Sequence, residues 1–174
     1  MNQPKNFIRK LAAFWAILGV SLIFIEAIVR MVPYFARSLE YKFGWQHWLV
    51  LVIWCAFMII TEGYRGFQKQ FSPMVAARVM YLLHGKPKLI DLILAPIFCM
   101  GYFHATRKRL KRTWLLTLGI IILIIIVRQF NQPWRGIIDS GVMLGLSYGL
   151  ATIFYFTGKS LISGDSSKDA QVGP

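Results

Sequence analysis

Four long apolar runs constrain this chain more than any other feature. They lie at about 11–33 ("LAAFWAILGVSLIFIEAIVRMVP"), 45–61 ("WQHWLVLVIWCAFMIIT"), 113–127 ("TWLLTLGIIILIIIV") and 136–156. A helix needs about 20 apolar residues to cross a hydrocarbon core of roughly 30 Å. A soluble domain of 174 residues cannot bury four such runs behind a polar surface, and here only 16% of the residues are charged. The expectation is an all-α membrane protein with four transmembrane helices. It forms a single bundle over residues 1–163, and the polar tail 164–174 reads as disordered. The first run follows Lys5, Arg9 and Lys10 and is too long for a secretory signal, so it reads as an anchoring helix.

The stretch between runs two and three is harder to place. "SPMVAARVMYLLHG" carries helix punctuation, with Ser72 as N-cap, Pro73 at the first helical position and Gly85 past the end. At 100° per residue Val75, Ala76, Val79, Met80, Leu82 and Leu83 share one face, opposite Arg78, Tyr81 and His84. A basic polar face of this kind suits a helix lying in the membrane interface. The next segment, Leu89–Phe103, amounts to roughly 22 Å of helix, carries Asp91 near its start and Pro96 in its middle, and runs into "RKRLKR".

Charge placement decides whether that segment crosses. If it does, five spans divide the 20 lysines and arginines ten to ten. If it does not, only Arg30, Arg37, Lys42, Arg128 and Arg135 fall on the side away from the termini. The second division follows the tendency of basic residues to stay in the cytoplasm. A six-span version would drive Arg78 through the core on a helix about 13 residues long, too short to cross. The expected architecture is therefore four spans, with an interfacial or re-entrant helical pair at 72–106 on the cytoplasmic side. Within that pair, 89–105 re-enters or lies flat. Both termini are expected in the cytoplasm of a bacterial inner membrane, and the net charge of +13 is read as topology rather than nucleic-acid binding.

Three groups of residues stand out. Glu26, Arg30, Arg128, Arg135 and Asp139 fall near the outer ends of the spans, where charge is costly and must be partnered or serve a site. Glu26 is expected to pair with Arg30, Arg128 or Arg135. Gly141, Gly145 and Gly149, each four residues apart, line one face of the fourth span and let another backbone approach closely. Arg107, Lys108, Arg109, Lys111 and Arg112 precede the third span, where they favour contact with anionic lipid headgroups. Asp91 and His104 bracket the half-length segment, as a proton-handling or headgroup-binding pair would.

Nothing in the chain has the spacing of a phosphate loop, a nucleophile with its base, or a zinc or haem site. Cys55 and Cys99 sit in apolar runs and read as small buried hydrophobes. No cofactor, metal or catalytic residue is expected. The leading functional reading is a non-enzymatic interaction or assembly subunit of a membrane complex, with lipids and a second copy or partner subunit as its contacts. A small homo-oligomeric channel or transporter is the alternative, and an intramembrane enzyme acting on lipid or quinone comes last.

Overall fold

The computed structural model describes residues 3–164 together with Ala170 and Val172, with side chains from Asn6 onward. Among the described residues the regular structure is all helix, joined by short turns, apart from one isolated bridge between Ala105 and Val172. Helix α1 spans Gln3–Leu39 and α2 spans Trp45–Met58. A π-helical stretch, Ile59–Phe71, leads without a break into α3, Ser72–His84. Two short helices follow, α4 (Leu89–Ile93) and α5 (Ala95–Met100), then α6 (Arg107–Val127) and α7 (Trp134–Ser163).

Among the described residues, four helical segments are long and apolar enough to cross a membrane: Asn6–Leu39, Trp45–His84, Arg107–Val127 and Trp134–Ser163. Contacts between side chains order them. Arg9 of α1 donates to the Leu83 carbonyl at the end of α3, and Phe24 meets Phe67 and Phe71, so α1 runs antiparallel to the helix 45–84. In α7, Ile138 meets Trp54 and Thr152 meets Ser72, so these two run parallel. The start of α1 and the end of α7 therefore lie at the same end of the bundle.

The core follows the helical period of α1. Ala12, Ala13, Ala16, Val20 and Phe24 form one buried stripe, joined by Val75, Val79 and Leu82 of α3, Phe98 of α5 and Ile153 of α7. Small residues on α1 let α5 approach. Any side chain at Gly19 would collide with the ring of Pro96.

Pro96 also explains why α4 and α5 are separate. It lacks an N–H, and its ring crowds the carbonyl four residues back. The backbone leaves helical geometry at Leu94 (φ −94°, ψ 33°) and starts again at Ala95. The resulting helices have 5 and 6 residues, far short of the length needed to cross a membrane.

Two expectations change here. Ser72 does not cap a new helix. It sits in helical conformation inside the continuous helix 45–84, and its hydroxyl pairs with Thr152 at 2.8 Å. Nor is α3 an amphipathic surface helix. Every residue from Ser72 to Met80 is buried, Arg78 included. The cause is that α1, α5 and α7 all pack on α3, and Ala170 reaches its polar face. The other end was foreseen, since the helix stops at His84 and the Gly85 N–H closes it on the Tyr81 carbonyl at 2.8 Å.

The π-helical stretch explains how one helix keeps contact with α7 over such a length. On α7 the contact residues are Gly141, Gly145, Gly149 and Thr152; opposite them stand Met58, Glu62, Phe67 and Ser72. Steps of five on an α-helix would swing successive residues about 140° apart, whereas the wider i→i+5 turn keeps them on one face.

Candidate functional site

The densest polar construction lies where α3, α5 and the chain after α5 meet. Arg78 is fully buried there. Its guanidinium donates to the carbonyls of Phe98 (2.5 Å), Ala170 (3.1 Å), Phe103 (3.4 Å) and His104 (3.4 Å). It also stacks over the Phe98 ring at 4.7 Å. Local backbone geometry creates these acceptors. Phe98 is in the last turn of α5, where its carbonyl takes the Gly101 N–H at 3.0 Å and keeps its second lone pair for the guanidinium. Gly101 takes φ 90° to end that helix, and His104 takes φ 44°, so the chain turns sharply around the guanidinium.

Asp91 and His104 meet beside this knot. His104 Nδ1 lies 2.5 Å from Asp91 Oδ1, and Asp91 Oδ2 accepts the Lys88 N–H at 2.8 Å. Asp91 is buried while His104 keeps about a quarter of its side chain exposed. The carboxylate thus does two jobs, closing the first turn of α4 and orienting the imidazole. Cys99 is also buried in this region, and burial pushes its thiol up to about 12 against the opposing pull of Arg78.

The basic block is split by the helical period of α6. Lys108, Arg109 and Arg112, with Thr106, line a cavity of about 340 Å³, while Arg107 and Lys111 do not. Arg112 donates to Gln70 Oε1 of the π-helical stretch at 3.3 Å. The Nε of Arg109 is buried and has no hydrogen-bond partner among the described residues.

The outer charges form two separate pairs. Arg30 meets Glu26 at 2.5 Å on the exposed surface of α1. Arg135 lies 3.9 Å from Asp139 on α7, and its guanidinium covers the Tyr34 ring at 3.6 Å. Among the described residues no ion pair joins the two, and Arg128 belongs to neither. The α7 glycines face the neighbouring helix. A methyl group at Gly141 would meet Trp54, one at Gly145 would come 3.3 Å from Glu62 Oε2, and one at Gly149 would fall 2.6 Å from Phe67. Among the described residues no three His, Cys, Asp or Glu side chains gather as a metal site would require.

Sequence reasoning singled out Asp91, His104 and the basic block, but missed Arg78 and Gln70. For Arg78 a signal existed: it is the one charge in an otherwise apolar stretch from Pro73 to Leu83. Comparison with protein families, curated proteins and solved structures returns no match.

Proposed function

We propose that this chain is an integral membrane protein that crosses the bilayer four times, with both termini in the cytoplasm of a bacterial inner membrane. It works there as a non-enzymatic interaction subunit. The placement of fifteen bases on the side of the termini supports that orientation, with α4, α5 and the Arg78 knot on the inner side.

The observation that carries the interaction role is the isolation of α6. Only 6% of its most apolar window is buried, against 39% for α1 and for α7. No residue of α6 is buried, and its ties to the rest of the chain lie no further along than its midpoint, where Tyr102 reaches Thr117 at 2.8 Å and packs on Trp114. Membrane helices associate through close packing. A crossing helix whose residues 118–126 are all exposed has those faces to offer elsewhere, to a second copy or to another membrane protein. The channel reading is less well supported, because Glu26 and Arg30 lie on the outside of α1 and a conduction path along them would have to form between chains.

Cysteine scanning tests the role. Single cysteines are placed at positions 118–126 of α6 in a chain lacking Cys55 and Cys99, and cross-linked in native membranes. Cross-links recurring every three or four positions, to the chain itself or to a second protein, are the expected result. Uniform absence of cross-links along α6, with a monomer in nanodiscs, would refute the interaction role.

A further inference from the structure

We propose that the hollow at the start of α6 binds a phosphate group, held by Lys108, Arg109, Arg112 and Thr106. A phospholipid headgroup and free phosphate share this chemistry, and the lipid form rests on the membrane reading above. The cavity of about 340 Å³ is ample for a tetrahedral oxyanion, and its wall carries three cations and a hydroxyl but no acid. Positions 108, 109 and 112 share one side of the helix, so the three charges converge rather than spread around it. Cations gathered round one hollow repel one another, and an anion between them reverses that interaction.

Two details hold the arginines in place, where a merely solvated basic face would leave them free. The Arg109 Nε is buried against Gly101, which fixes the guanidinium at the wall of the hollow. Room for the guanidinium depends on Gly101, where a Cβ would come within 3.4 Å of both Arg109 Nε and Thr113 Oγ1. Arg112 is steadied by Gln70 through one nitrogen, which leaves its other donors for a ligand. Arginine forks suit the paired oxygens of a phosphate, and Thr106 at the N-cap makes no capping bond with its side chain.

Two double variants that remove equal charge provide the test: Arg109→Gln with Arg112→Gln, and Arg107→Gln with Lys111→Gln. Binding of phosphatidylglycerol, phosphatidylcholine and inorganic phosphate is measured by native mass spectrometry of the detergent-solubilised chain. Salt of about 0.3 M screens the field of exposed bases. The first variant should bind at least about a hundredfold more weakly, the loss of two charge-assisted contacts, and the second should stay within about threefold of the parent. If inorganic phosphate displaces phosphatidylglycerol, the ligand is free phosphate; if it does not, the ligand is the headgroup.

Equal weakening by the two doubles overturns the site, as does absence of binding by both phosphatidylglycerol and inorganic phosphate. If the first double does not fold, Lys108→Gln with Arg112→Gln carries the same test, since both side chains are exposed. Release of the chain from membranes without detergent would instead sink the membrane reading, and the inorganic phosphate arm would then decide the site alone.

Discussion

Alanine placed at two glycines of α7 should act in opposite directions. A methyl group at Gly141 would overlap the indole of Trp54 and lie 3.0 Å from Met58 Cγ. The indole is not free to retreat, because its Nε1 donates to the Ile138 carbonyl at 3.0 Å. Overpacking of this kind costs about 1–3 kcal/mol. Losing the indole hydrogen bond adds about 1 kcal/mol, and the better helix propensity of alanine returns about 1 kcal/mol. Gly141→Ala should therefore destabilise by about 1–3 kcal/mol on these terms. At Gly158, on the same helix, nothing lies within 4 Å of an added methyl. There the substitution stiffens the unfolded chain without a clash and should stabilise by about 0.4–1 kcal/mol. Equilibrium unfolding in detergent micelles, followed by circular dichroism, measures both. If Gly141→Ala is as stable as the parent, or Gly158→Ala loses as much as Gly141→Ala, close contact with α2 is not what seats α7.

Two further outcomes follow from the buried knot. Arg78→Lys keeps the charge, but a compact ammonium cannot serve four carbonyls at once, so the variant should unfold with a loss of about 2–4 kcal/mol. A lysine variant equal to the parent in the same unfolding assay would show that the guanidinium contacts carry no stability. Cys99 is fully buried and its thiol is pushed up to about 12, so the reactive thiolate is scarce until the pH approaches that value. A maleimide at about pH 8 should label Cys99 only after unfolding. Rapid labelling of Cys99 in the folded chain with Cys55 replaced by serine would contradict its burial.

The four helices able to cross a membrane were legible because length and apolarity alone decide them. Asp91 and His104 stood out too, because they bracket a short apolar segment, and the structure brings them together at 2.5 Å. The continuity of the helix 45–84 was not legible. Thr61 to Gln70 is polar and carries two glycines, which reads as a junction, and the Ser72–Pro73 pair mimics a helix start. The π-helical turn carries the chain through that region, and a wheel drawn at 100° per residue has no means of anticipating it. The same wheel placed Arg78 on a polar face and assumed that the face met water. What covers it is the backbone of residues 98–104 and Ala170, remote in sequence, and carbonyl groups leave no mark in side-chain patterns.

The unbroken helix from Trp45 to His84 also ties the two ends of the bundle together. Its two α-helical parts alone, 14 and 13 residues, amount to about 40 Å, already more than the hydrocarbon core is thick. Trp45 and Arg78 are fixed to one rod, with the carbonyls gathered around Arg78 near one end and the rings of His47 and Trp134, 5.0 Å apart, near the other. Between those two ends the rod passes through the π-helical stretch 59–71, where a bend would be taken up first. If the chain crosses a bilayer as proposed, one helix thus ties groups near one face to groups near the other, with the glycine face of α7 packed along it between them.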